Sequence, residues 1–98
     1  MEINMETSTC SPRFSFGQAV ITSNARARLH AEDVCQALGR HARGDWGEVC
    51  PEDAQENDDA LLKGCRLLSA YTDRNGTKFW IITEAGREAT TVMLPEDY

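Results

Sequence analysis

The chain has 98 residues, a hydrophobic fraction of 41% and a formal net charge of −6. That length supports one domain with a single modest core, folded without help from metals or disulfides. The acidic balance excludes a broad nucleic-acid-binding face, which needs clustered Lys and Arg, and no apolar run approaches the roughly 18 residues of a membrane-spanning helix.

Residues 1–14 are rich in Glu, Ser, Thr, Asn and Pro and are expected to form a tail, leaving one domain over residues 15–98. The run Phe-Gly-Gln-Ala-Val-Ile at 16–21 predicts a short strand. Thr22 or Ser23 then caps a helical turn over 24–29, because a hydroxyl accepts from the exposed amides of a first turn. A second helix is expected over 31–42, with Ala31, Val34, Leu38 and His41 or Ala42 on one face. Gly44 stands where a left-handed helix cap belongs, and Gly44-Asp45-Trp46-Gly47 reads as a turn carrying one large aromatic. Pro51 opens a third helix, where its missing N–H costs nothing; Glu52 and Asp53 suit the positive end of the dipole, and Gly64 ends it.

Residues 65–98 contain three β-rich runs, separated by Asn75-Gly76 and by a polar link around Gly86. Asn-Gly between apolar runs favours a two-residue hairpin in which both turn residues take positive φ. The order of elements therefore predicts an α+β fold: a four-stranded antiparallel sheet, made of one N-terminal strand and a C-terminal three-stranded meander, with two or three helices packed on one face. Cys10, Cys35, Cys50 and Cys65 are spaced by 25, 15 and 15 residues, which is not the close pairing of a zinc site. They are read as reduced thiols of a cytoplasmic protein, Cys35 as a small core residue, and no metal or cofactor is expected.

The meander strands are apolar on both sides, so one face packs on helices while Leu68, Trp80, Ile82 and Met93 are left on the other. An apolar patch on a small protein marks a contact surface. From residue 45 to residue 59 there are seven acids and no base, and Glu52, Glu56 and Asp59 line up at i, i+4, i+7. That stripe lacks the order of a calcium loop and reads as a solvated face that favours a cationic partner. Asn57 falls on the inner face of the third helix and is expected to pin the turn 44–47, with Asp45 and Trp46 as the turn's structural residues. Of the two histidines, His41 near a helix end reads as a cap or a packed side chain, with catalysis as the minor reading.

The pattern Arg40-His41-x-x-Gly44-Asp45-Trp46-Gly47, Asn57, Arg66-Leu67-Leu68-Ser69-Ala70-Tyr71, Trp80-Ile81-Ile82-Thr83-Glu84-Ala85 and Thr90-Thr91-Val92-Met93-Leu94-Pro95-Glu96-Asp97-Tyr98 resembles a family of short bacterial proteins. They are called plasmid-related and are encoded on plasmids, phages and other mobile elements. The resemblance spans residues 15–98 and implies residence on a mobile element without implying a reaction. Where the family pattern has Ala-Asp-Arg after Thr-Glu, this chain has Ala85-Gly86-Arg87. The helices-then-meander order is also similar to barnase, colicin and RelE-like ribonucleases, an analogy of fold alone.

Three functions are thus expected, in descending order. The first is a non-enzymatic accessory protein of a mobile element that binds a basic protein, or a second copy of itself, through Leu68, Trp80 and Ile82 with Glu52, Glu56 and Asp59 giving selectivity. One form of it inhibits a host defence complex. The second is a metal-independent ribonuclease using His41, Arg66, Ser69, Lys78 and Thr83, which requires those groups to converge on one pocket. The third, DNA binding through Arg26, Arg28, Arg40 and Arg43, ranks last for want of a helix-turn-helix.

Overall fold

A computed structural model gives the fold of residues 12–98. Strand β1 (Gln18–Ile21) leads into helix α1 (Ser23–Arg28), α2 (Ala31–Ala42) and α3 (Pro51–Lys63), followed by β2 (Leu67–Thr72), β3 (Lys78–Thr83) and β4 (Ala89–Met93), with short 3₁₀ turns at Ala85–Arg87 and Pro95–Asp97. The helix ends obey local chemistry. Thr22 Oγ1 accepts from Ala25 N at 3.1 Å to start α1, Pro51 opens α3, and Gly64 closes it in the left-handed conformation at φ 75°. His30, not His41, is the histidine that caps: its Nδ1 accepts from Glu32 N at 3.3 Å at the start of α2.

The fold is α+β as expected, but its four-stranded sheet is mixed. The strand order is β1-β4-β3-β2, and β1 lies parallel to β4, pairing Gln18 with Ala89 and Ile21 with Val92. Only β2-β3-β4 form the antiparallel meander. Nothing local in a four-residue strand declares the direction of a neighbour that lies some seventy residues away in sequence. The β2–β3 connection also departs from the two-residue hairpin. Among the described non-glycine residues only Arg87 has positive φ, so Asn75 does not; Gly76 does, at 84°. Asp73 closes a wider loop instead: Asp73 N donates to Thr77 O at 2.9 Å, and the Asp73 carboxylate accepts from the amides of Asn75 and Thr77. An Asp that binds its own following amides competes with the tight turn.

Alternation along the strands sends Tyr71, Phe79, Ile81 and Val92 to one face, where they form the core with Ala25, Val34, Ala37 and Leu94. Helices α1 and α2 cover that face. Helix α3 does not join them; it lies along the outer edge of β2, held by Asn57. Of the expected tail, residues 1–11, with Cys10, lie outside the described residues; Arg13 N donates to Ala42 O at 2.8 Å, and the Phe14 ring packs edge-on against His41. Cys35, expected in the core, is exposed on α2; Cys50 and Cys65, on either side of α3, are exposed as well. Among the described residues no helix is long and apolar enough to cross a membrane.

Candidate functional site

Two arrangements hold most of the residues singled out by sequence. The first surrounds His41, which is fully buried among the rings of Phe14, Phe16 and Trp46. Its Nδ1 lies 2.5 Å from Ser69 Oγ and its Nε2 lies 2.9 Å from Thr83 Oγ1. The direction of each bond follows from the far end of the chain. Thr90 Oγ1 donates its one proton to Phe16 O at 2.9 Å, so Thr83 donates to Thr90 across 2.8 Å. Thr83 has then spent its own proton, and His41 Nε2 must donate to it, which leaves Nδ1 to accept from Ser69. Both ring nitrogens of a neutral imidazole are satisfied, and a second ring proton would require the Ser69 hydroxyl to reverse from donor to acceptor. Burial, with the Arg87 charge as a smaller contribution, accordingly pulls the His41 pKa down from 6.5 to about 4.

A serine donating to a histidine has the form of an activated nucleophile, but Ser69 and His41 are both fully enclosed and no substrate can reach them. The structure brings together His41, Ser69 and Thr83 of the expected ribonuclease set and separates the rest. Lys78 is exposed at the far end of β3, five residues or about 17 Å from Thr83. Arg66 is exposed and stacks over the Tyr98 ring at 5.0 Å. The convergence that the ribonuclease reading requires is absent from this set. The chain of bonds is instead a structural tie: Ser69 belongs to β2, Thr83 to β3 and Thr90 to β4, and Phe16 leads into β1.

The second arrangement lies at the β2 edge. Asn57 receives Leu68 N on its Oδ1 at 3.2 Å and donates Nδ2 to Leu68 O at 2.7 Å, so its side-chain amide stands in for a neighbouring strand. It does not pin the turn 44–47, as the helical pattern suggested; that turn docks on the next outward residue, with Ala70 N donating to Trp46 O at 3.1 Å and Glu48 N to Ala70 O at 2.7 Å. Gly47 is forced there, since a Cβ would stand 2.1 Å from Ala70 O at a φ of +75°. Asp45 is paired with Arg40 at 2.8 Å, which holds its carboxyl below the usual range, and Trp46 Nε1 donates to Asp58 at 2.9 Å.

Between α3 and this edge opens a cleft of about 430 Å³, with Val49, Ala60 and Leu68 as its apolar lining and Asp53, Glu56, Asn57 and Arg66 as its polar lining. Leu68 and Glu56 of the expected contact residues meet here. Glu52 and Asp59 are exposed on α3 but outside the cleft, and Trp80, half-buried, lies under the edge of the Tyr98 ring at 5.7 Å. Ile82 is only 1% exposed and so is no part of an open surface. Sequence reasoning missed Asp53, which shares the cleft-facing stripe with Asn57 and Ala60 at i, i+4, i+7; the position of Asn57 was the signal for it. Asp53, Glu56, Glu52 and Asp59 form no ion pair with any described residue. Among the described residues no cluster of His, Cys, Asp and Glu is placed to hold a metal ion.

Comparison of the chain with protein-family models, with curated proteins and with solved structures yields no match. The site's own geometry therefore carries the functional argument.

Proposed function

We propose that this protein is a non-enzymatic accessory protein of a mobile genetic element that works in the cytoplasm by binding a basic protein at the α3–β2 cleft. The observation that carries this reading is the pairing of an apolar lining, Val49, Ala60 and Leu68, with the carboxylates of Asp53 and Glu56, which form no ion pair with any described residue, in one concavity. Such a concavity suits a Lys or Arg of the partner: its aliphatic stem lies on the apolar lining while its charge meets the carboxylates. Glu52 and Asp59, farther along the same helix, add a longer-range field that steers a cationic surface toward it. In one form of this function α3 presents carboxylates where a host defence complex would bind phosphates, and so competes with nucleic acid for that surface. The mobile-element setting rests on the resemblance of the Gly44–Gly47, Arg66–Tyr71 and Thr90–Tyr98 motifs.

The test is affinity capture from host lysate at low and high salt, with wild type beside the Asp53→Lys/Glu56→Lys and Glu52→Lys/Asp59→Lys double variants. The expected result is one partner, released by salt, lost with the first pair and weakened with the second. A partner retained equally by all three proteins overturns the reading.

A further inference from the structure

The opposite edge of the sheet carries a second inference, independent of the α3–β2 cleft. In β1, Gln18 N donates to Glu88 O at 3.0 Å and Thr22 N donates to Val92 O at 3.0 Å. The alternation of a parallel ladder then turns the N–H and C=O groups of Ala19 and Ile21 away from β4. No backbone or side-chain group among the described residues bonds to these four groups. Edge strands are ordinarily protected by a charge, a proline, a bulge or a covering segment, and Gln-Ala-Val-Ile has none of the first three. Val20 is 41% exposed and Ile21 is 38% exposed. Beside the edge runs a groove of about 260 Å³ lined by Ala19, Val20, Ile21, Val34, Leu38 and Val92, all apolar.

We propose that this edge is the self-association surface of the protein, where β1 of a second copy adds antiparallel to β1 about a two-fold axis through Val20. The edge is complementary to itself in three respects. Its outward groups sit at positions 19 and 21, so in the register centred on Val20 each Ala19 faces the other copy's Ile21 and both exchange N–H···O bonds, four in all. Ala19 and Ile21 pair with Thr90 and Val92 in register and so share their face of the sheet, the face covered by α2. Each Ile21 thereby falls opposite the small Ala19 of its partner and into the space before Val34 and Leu38, an exchange of large for small that occurs twice. The strand is uncharged, so two chains of net charge −6 meet there without like charges directly opposed. The product is a continuous eight-stranded sheet, with closed symmetry and no further edge of this kind.

The experiment is sedimentation velocity of the whole chain over a concentration series, with Ala19→Pro and Val20→Cys. Proline at position 19 removes an N–H that points outward and leaves the β1–β4 ladder intact. A dimer contains two such lost bonds, which weakens association by roughly tenfold to a hundredfold. Val20 faces its own copy as a non-hydrogen-bonded pair, about 4.5 Å between Cα atoms, a separation a disulfide spans. The expected result is a concentration-dependent dimer, weakened by Ala19→Pro without loss of the folded circular dichroism spectrum. Mild oxidation of Val20→Cys then yields a cross-link at the substituted position, located by peptide mass apart from Cys35, Cys50 and Cys65. A monomer at every concentration overturns the proposal. So does a dimer indifferent to Ala19→Pro that gives no such cross-link, and so does dimerisation appearing only after removal of residues 1–11, which would assign the edge to the chain's own N-terminal segment.

Discussion

β2 and β1 are both edge strands, β2 turning Leu68, Ala70 and Thr72 outward and β1 turning Ala19 and Ile21 outward, but the two margins are completed differently. At β2 the outward groups of Leu68 are taken by the Asn57 amide and those of Ala70 by Trp46 and Glu48, so no backbone valence of those two residues is left over. At β1 the outward groups of Ala19 and Ile21 meet no described residue. The cost of sealing β2 is visible in the sequence that does it: a glycine at 47 with no room for a side chain, and a helix whose inner face gives up an apolar position to Asn57. Sealing one margin also builds something there, because α3, once docked, holds an acidic face beside the apolar side of β2. The bare margin carries no charge and is apolar. The two proposals follow that difference: an unlike, basic partner at one edge and a second copy of the chain at the other.

The largest way to break this contrast is to unseal β2. Gly47→Ala forces a side chain against Ala70 O and the Tyr71 ring at positive φ, and is expected to destabilise the fold by about 2–5 kcal/mol in denaturant unfolding. Gly64→Ala, where a Cβ meets nothing within 4 Å, carries only the conformational penalty of roughly 1 kcal/mol. Equal losses at the two sites would show that the docking of the turn on Ala70 contributes little.

Between the two margins runs the His41 chain of hydrogen bonds, which joins β2, β3 and β4 to the segment leading into β1. Its folded pKa, about 4, lies below its ordinary 6.5, so between those values the unfolded chain binds the proton and the folded one does not. The histidine's contribution to stability is therefore lost as pH drops from about 6.5 to about 4 and changes no further below, a total of roughly 3 kcal/mol for a shift of this size. Asp33, Asp45, Asp73 and Asp97, all held below 3.8, lose their contributions only at lower pH, beneath the histidine's window. Replacing His41 by Gln should flatten the slope between pH 6.5 and 4 even though the variant is less stable throughout. A slope that survives His41→Gln would place the titrating group elsewhere.

Asn57→Ala comes next. It strands the Leu68 N–H and C=O and is expected to cost about 2 kcal/mol, with hydrogen exchange at Leu68 accelerated toward the rate of an open edge. Its partner is also the best illustration of what sequence could and could not reveal. That Asn57 faces inward was legible from helical spacing, as were the ends of α3 at Pro51 and Gly64, because caps and periodicity are fixed by residues within a turn or two. That it faces Leu68 and not the turn 44–47 depends on where α3 docks, which no local rule specifies. The same division explains the parallel direction of β1, the burial of Ile82, and the meeting of His41 with Ser69 and Thr83. Each is a contact between distant segments. The turn at Asn75-Gly76 failed for the opposite reason: a nearby residue, Asp73, competed locally and won.

The smallest expected effect belongs to the bare margin. If β1 truly lacks a partner within its own chain, Ala19→Pro should change the stability of the dilute protein by no more than about 0.5 kcal/mol, since the N–H it deletes holds nothing. Under the same conditions the amides of Ala19 and Ile21 should exchange far faster than those of Leu68 and Ala70, whose outward N–H groups are bonded. Raising the protein concentration should then slow exchange at Ala19 and Ile21 and leave Leu68 and Ala70 unchanged. Strong protection at Ala19 in the dilute wild type, coupled to a large loss of stability in Ala19→Pro, would mean that both margins are sealed from within and that the contrast between them does not hold.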